Sequence, residues 1–312
     1  MSLEIVRAGL FTTVQDLGRP GHGALGIPAS GAMDGPALRV ANRLVGNPEH
    51  AAALEFTLAG PEIRFARDHW AAIVGSRFEA ALDERSVPHA ESFPVGRGQT
   101  LKIGRTLEGA RGYLAVSGGI DVPPLLGSRS TFAAGGFGGL EGRPLRSGDR
   151  LPTGAVASEP RRRRLAREVL PAYVEGAVLR AIPGPQGEAF TPRGLEAFFG
   201  SGFRVSPRSD RMGLRLEGPT VEQARGADLL PEGTAPGAVQ VPADGRPIVL
   251  GVDRPTTGGY VKIATVISAD LPRLGQAKPG DRLHFLPVSV DEARALYRTL
   301  EERVRSAIED AE

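Results

Sequence analysis

The 312-residue sequence contains no cysteine. Disulfides, thiolate nucleophiles and cysteine-ligated zinc are thereby excluded together, and any covalent chemistry must use another group. Lysine is nearly as scarce, at positions 102, 262 and 278 only, so the 38 basic residues are almost all arginine and stand against 36 acidic ones for a net charge of +2. The one basic run, Arg161 to Arg164, is too short and isolated to argue for nucleic acid and reads as a solvated linker. No window approaches 18 uninterrupted apolar residues, and the opening MSLEIVRAGLFTTV has neither a basic region followed by an apolar one nor a cleavage signature. The expectation is a soluble, cytoplasmic protein that binds neither membrane nor nucleic acid. The five histidines, at 22, 50, 69, 89 and 284, form no i, i+4 pair and no H-E-x-x-H, so no dedicated metal site is expected. A Walker A motif is absent as well.

What the chain has in plenty is glycine, 42 residues, and proline, 26, with aromatics at only 5%. Without a repeating period, that composition suits a compact β-rich protein with many turns, and the length suits two domains. Short β-branched runs bounded by Gly and Pro recur at Leu3 to Val6, Trp70 to Val74, Thr100 to Ile103 and Tyr113 to Val116. A second set follows at Val178 to Ile182, Ala238 to Val241, Ile248 to Val252, Val261 to Ile267 and Leu283 to Leu286. One helix interrupts the first set, with Asp34 as N-cap, Pro36 in its first turn and Gly46-Asn47-Pro48 as its stop. Between the sets lies a Pro- and Arg-rich stretch, which predicts domains over 1–157 and 176–312 joined by a linker over 158–175. SGDRL at 147–151 and PGDRL at 279–283 echo one another, as two related barrels or a shared turn chemistry would require. Near the end, Ser289 and Glu292 make a capping box, and Leu296, Leu300, Val304 and Ile308 mark an amphipathic helix.

Three segments place polar groups where a plain core would not. In FTTVQDLGRPGHGALGIPASGAMD, Phe11 to Asp34, the polar residues Gln15, Asp16, Arg19, Ser30 and Asp34 alternate with glycines and prolines, which shape a rigid loop. Capping of the helix already accounts for Asp34. Ser209, Asp210 and Arg211 set a hydroxyl, a carboxylate and a guanidinium side by side, fit for an anionic group or equally for a surface salt bridge. Thr256, Thr257, Gly258 and Gly259, just before Lys262, read as a loop whose backbone N–H groups suit an oxyanion, or as a wide hairpin turn. The glycine-rich run Gly135 to Gly139, after Arg129, Ser130 and Thr131, is a further candidate. Provisional roles are Arg19, Arg211 and Lys262 for anionic groups, Asp16 or Asp210 for proton transfer or a metal, and the Thr-Thr-Gly-Gly backbone for an oxyanion.

The first of these segments, with its continuation ALRVANRLVGNPEHAAALE, resembles the opening signature of the 5-oxoprolinase C-type subunit family, also known as biotin-dependent carboxyltransferases, second subunits of allophanate hydrolase, or antagonists of a sporulation-kinase inhibitor. Matches continue through GSRSTFAAGGFGGLEGRPLRSGD, SPRSDRMGLRLEGP and PGAVQVPADGRPIVLGVDRPTTGGYVKIATVISADLPRLGQ, and so cover both halves of the chain. The resemblance implies a mainly β fold of two cyclophilin-like β-barrel subdomains in tandem. It also implies a heteromeric, ATP-dependent 5-oxoprolinase in which this chain works with a B-type subunit, and with an A-type subunit downstream, to phosphorylate 5-oxoproline for hydrolysis to glutamate. ATP, with magnesium held by its phosphates, is then the expected cofactor. An alternative is carboxyl transfer from carboxybiotin to urea or a related amide, with biotin carried elsewhere because no lysine here sits in an A-M-K-M setting. Another is a non-catalytic antagonist of a sensor-kinase inhibitor. Pro255, Val261 and Gly23-Ala24 depart from the commoner pattern.

Overall fold

The computed structural model describes residues 2–156, 161–166 and 176–311. Its contacts divide into two compact units, one made of residues 1–19, 30–171 and 302–312, the other of residues 20–29 and 172–301. Most of the expected linker, 158–175, lies outside the described residues.

In the first unit two antiparallel sheets enclose one core. The six-stranded sheet runs Arg150–Leu151, Leu3–Arg7, Glu62–Phe65, Thr100–Thr106, Phe78–Leu82, Arg85–Ser86, and the five-stranded sheet runs Phe11–Gln15, Ala53–Thr57, Arg111–Val116, His69–Gly75, Ser92–Val95. Leu3, Ile5, Ile63, Phe65, Leu101 and Ile103 from one sheet meet Val14, Leu54, Phe56, Ile73, Leu114 and Val116 from the other, all at most 2% exposed. The spacing of two within each strand is what puts these side chains on one face. Arg111–Val116 is buried at every position, because helix α1 (Gly35–Leu44) covers the face turned away from the other sheet. That helix begins as its sequence requires, with the Asp34 carboxylate accepting from the Ala37 N–H at 3.1 Å.

The second unit holds a closed barrel of seven strands in the order Ala177–Pro183, Lys262–Val266, Ala238–Gln240, Ile248–Leu250, Gly213–Glu217, Gly202–Val205, Arg282–Pro287. Closure is made by a parallel pair, Ala177–Pro183 with Arg282–Pro287. Phe198, on helix α2 (Pro192–Gly200), stacks on Phe285 at 4.5 Å and leans on Phe203, which fills the barrel beneath that helix. Beside the barrel, Asp228–Gly233 and Thr257–Tyr260 form a two-stranded ribbon. The protein is mainly β, as the resemblance implies.

The echoed SGDRL and PGDRL segments adopt the same turn. Gly148 and Gly280 have φ of 91° and 95°, and donate to Ile5 and Val205 respectively at 2.8 and 2.9 Å. Asp149 and Asp281 each accept from the backbone three residues back, at Arg146 and Lys278. Each aspartate's carbonyl then accepts from the same Ile5 or Val205 N–H, so each turn is bonded in both directions to a strand of its own unit.

Two expectations need correction. The arginine run is no bare linker: Arg163–Leu165 is a strand paired with Ile308–Asp310, and Arg161, Arg163 and Arg164 bridge to Asp310 and Glu309. Charge complementarity between two segments far apart in sequence decides this. The terminal helix, α4 after a short α3 (Leu271–Gln276), spans Val290–Arg305. It starts at the predicted capping box, with Ser289 and Glu292 bonded reciprocally, but Ile308 falls in the strand that follows.

Candidate functional site

In the first unit, Gln15, Asp16 and Arg19 converge on the segment Leu125 to Phe137. The Asp16 carboxylate, in a residue 8% exposed, accepts from the Gly18 N–H (2.8 Å), the Ser128 and Ser130 hydroxyls (2.6 and 2.5 Å) and the Arg129 N–H (2.6 Å). Four donors occupy its oxygens, so it clamps the loop rather than standing ready to move a proton. Arg19 is 1% exposed; its guanidinium donates to the carbonyls of Ser130 and Leu125 and lies 5.2 Å from the centre of the Phe137 ring. Gln15 donates to Thr13 and to the Thr131 carbonyl, and its Oε1 has no partner among the described residues.

The excursion from residue 17 to residue 31 is pinched shut where the Ala32 N–H donates to the Asp16 carbonyl at 2.9 Å. Ser30 lies here with φ of 54°, its buried hydroxyl without a partner among the described residues. Gly31, at φ of 89°, packs on Gly18 so closely that a Cβ would come 2.8 Å from the Gly18 nitrogen. Gly31→Ala is therefore expected to cost roughly 2–4 kcal/mol, from backbone strain and overlap together; chemical denaturation giving an unchanged midpoint would contradict this.

The glycine-rich run after Thr131 is a packing device. A Cβ on Gly138 would lie 2.1 Å from the Ser130 carbonyl oxygen, and one on Gly139 would lie 1.9 Å from the Thr131 hydroxyl. At Gly138 and Gly139 the backbone is thus packed against the Ser130–Thr131 segment, whereas Gly136 is exposed with nothing near its Cβ position.

Asp34 belongs to a buried network that sequence reasoning missed. Its N–H donates to the Tyr113 hydroxyl, which donates to Glu55 at 2.8 Å, while Met33 N–H also donates to Glu55 and Arg111 stands 3.8 Å away. Burial, reinforced by the Glu55 charge, pushes the Tyr113 hydroxyl well above its usual range, so it remains a donor. A glutamate inside the apolar strand Ala53–Thr57 was the available signal.

In the second unit the three adjacent residues separate. Ser209 and Asp210 build a turn, Ser209 accepting from the Arg215 N–H and Asp210 from those of Met212 and Gly213. Arg211 is buried and directs its guanidinium at Asp253, with Nε–Oδ2 at 2.8 Å. Thr257, Gly258 and Gly259 are not in a loop, as expected, but in the ribbon strand Thr257–Tyr260; its ladder with Asp228–Gly233 occupies the edge meant for an oxyanion, and Thr256 precedes it with its carbonyl accepting from Thr234. A strand pairing 24 or more residues back in sequence carries no local signal.

Lys262 is 7% exposed and lies opposite Gln240 on the barrel, while Glu232 lies opposite Gly258 on the ribbon. The ammonium donates to Glu232, which also accepts from the Gln186 amide at 2.8 Å, and the Lys262 N–H donates to Gln186 at 3.2 Å. Hydrogen bonding from Lys262 holds the Glu232 carboxyl below its ordinary range. Gly258 exists because Gln240 Nε2 lies 2.4 Å from where its Cβ would be. Glu232, Gln186 and Gln240 were not singled out from sequence, since none sits in a motif. Among the described residues no group of three or more His, Asp or Glu could hold a metal ion, and no helix is long and apolar enough to cross a membrane.

Comparison with known proteins places these clusters in a family. Residues 25–287 match the family described as "Carboxyltransferase domain, subdomain A and B". The chain is 45% identical over 291 residues to the C-type subunit of 5-oxoprolinase from Escherichia coli strain K12, covering 93% of each chain. It is 36% identical to urea amidolyase of Saccharomyces cerevisiae over 98% of its own length but only 18% of that protein's. The crystal structure of the Kluyveromyces lactis urea amidolyase has a TM-score of 0.92 at 34% identity, covering 98% of this chain and 20% of that one. Since the matched description spans residues 25–287, in both units, and a relative agrees nearly end to end, the chain belongs to the carboxyltransferase-domain family, subdomains A and B.

Proposed function

We propose that this chain is the C-type subunit of a heteromeric, ATP-dependent 5-oxoprolinase of the cytoplasm, acting with a B-type subunit, and an A-type subunit downstream, to convert 5-oxoproline to glutamate. The observation that carries the reading is sequence similarity: the chain is 45% identical to a 5-oxoprolinase C-type subunit over 93% of both proteins, against 36% and 34% identity to urea amidolyases. A lactam carbonyl is a poor electrophile, and phosphorylating its oxygen supplies a leaving group for attack by water. Catalysis then rests on positioning and charge stabilisation.

The residues of this chain do not fit a self-contained nucleotide site. Arg211 is turned to Asp253, Lys262 to Glu232, Arg19 to backbone carbonyls, and Gly138 and Gly139 are packed on Ser130 and Thr131. No step through ATP or its magnesium is therefore assigned to them, and nucleotide binding belongs to the assembled complex in this reading. Carboxyl transfer is the second reading, favoured by the likeness to urea amidolyase.

The test is ADP release by the chain co-purified with its B-type partner. Release that depends on 5-oxoproline and not on urea is the expected result. A stable complex that releases no ADP with 5-oxoproline, but moves labelled bicarbonate onto urea when a biotinylated carrier and its carboxylase are added, would replace this reading with carboxyl transfer.

A further inference from the structure

Beneath the ribbon of the second unit, hydrogen-bond donors outnumber their acceptors. Gln240 is 6% exposed, and its Nε2 has no partner among the described residues; the same holds for Arg254 Nη1. Arg254 is otherwise held by the Thr234 carbonyl, and the Thr234 methyl lies 3.3 Å from the Gly258 Cβ position that Gln240 Nε2 also crowds. Lys262, opposite Gln240, adds a buried ammonium. Against these stands one carboxylate, that of Glu232, which comes from the exposed ribbon and is itself 45% exposed. Leaving a buried donor unmade costs about 1–3 kcal/mol, and a fold that keeps two, both on side chains that reach the ribbon or its continuation at Thr234, retains them for something that binds.

We propose that Lys262, Gln240 and Arg254 form a binding subsite for a small carboxylate, and that Glu232 on the ribbon occupies it as an internal substitute which the ligand displaces. Gly258 is the residue that lets the ribbon lie flat on Gln240. The choice of 5-oxoproline as ligand rests on the function proposed above, and its carboxylate is the group the subsite takes. Ligand affinity is then set by competition: the bound form must first release Glu232 from Lys262, so weakening that contact strengthens binding.

With only three lysines, the subsite can be read chemically. The chain, alone and in complex with its B-type partner, is acetylated with acetic anhydride in the presence of 5-oxoproline or of 2-pyrrolidinone, which lacks the carboxylate, and each lysine is followed by peptide mass spectrometry. The expected result is protection of Lys262 by 5-oxoproline and not by 2-pyrrolidinone, with the exposed Lys102 unaffected. Glu232→Gln is expected to lower the half-protecting concentration about tenfold. Gln240→Leu is expected to raise it about tenfold without lowering the melting temperature, because the variant removes a buried donor that has no partner. Equal protection by both compounds, or weaker protection in Glu232→Gln, overturns the subsite.

The two proposals fail separately. Protection of Lys262 in a complex that does not turn over 5-oxoproline supports the subsite and sinks the 5-oxoprolinase reading. Turnover with an unchanged KM in Gln240→Leu and no protection does the reverse. Gln240→Glu, which sets a carboxylate beside Lys262, is a second variant that abolishes protection if the subsite exists.

Discussion

Asp16→Ala lowers the stability of the protein by on the order of 3–5 kcal/mol, because it strips the acceptor from four donors at once, two of them buried and two part-buried. The donors are the N–H groups of Gly18 and Arg129 and the hydroxyls of Ser128 and Ser130. They come from two segments far apart in sequence, around Gly18 and around Ser128 to Ser130, so losing the carboxylate also frees the junction that holds Arg19 against Phe137. Asp16→Asn gives little relief, since its amide NH2 would confront either the Arg129 N–H or three donors on the other oxygen. Equilibrium unfolding in urea, followed by intrinsic fluorescence and by circular dichroism, measures the loss. A change below about 1 kcal/mol would mean the carboxylate is not the clamp its geometry describes.

Arg211→Ala and Asp253→Ala are each expected to cost roughly 3–5 kcal/mol, as each strands a buried charge opposite a vacated partner. The pair is 7% and 4% exposed, bonded from Nε to Oδ2, and reinforced by the Asp253 N–H donating to the Arg211 carbonyl at 3.0 Å. Replacing both residues together by apolar side chains of similar volume, Arg211→Met with Asp253→Leu, is expected to cost less than either single change. A double-mutant cycle on unfolding free energies decides this, and simple addition of the two single costs would contradict it. The consequence for function is practical. Loss of activity in Arg211→Ala would follow from lost folding, so the anion-holding role read from Ser209-Asp210-Arg211 needs a melting curve beside every rate.

Much of the fold was legible because its causes are local. Asp34 and Pro36 start a helix through their own side chains, Ser289 and Glu292 do the same for the last one, and β-branched runs between glycines became strands at nearly the predicted limits. The matching turns at Gly148 and Gly280 were visible as an echo of five residues, since a positive φ and an aspartate cap are local requirements. The candidate sites were less legible. Thr256 to Gly259 carried the residues of an oxyanion loop, yet pairing with Asp228–Gly233 made most of it a strand, because a partner more than twenty residues away satisfied its backbone.

The sequence by itself determined the family, the mainly β class, the helix ends and the polar segments where the chain departs from plain packing. Which of those polar groups are spent on the fold and which are left over was decided only in three dimensions. Asp16 and Arg211 found partners supplied by other segments and Asp210 found its own within a local turn, while Gln240 and Arg254, unremarkable in the sequence, were left with donors unmade among the described residues. A side chain's chemistry is written in its residue type, but whether that chemistry is satisfied depends on what the folded chain brings within hydrogen-bonding reach of it.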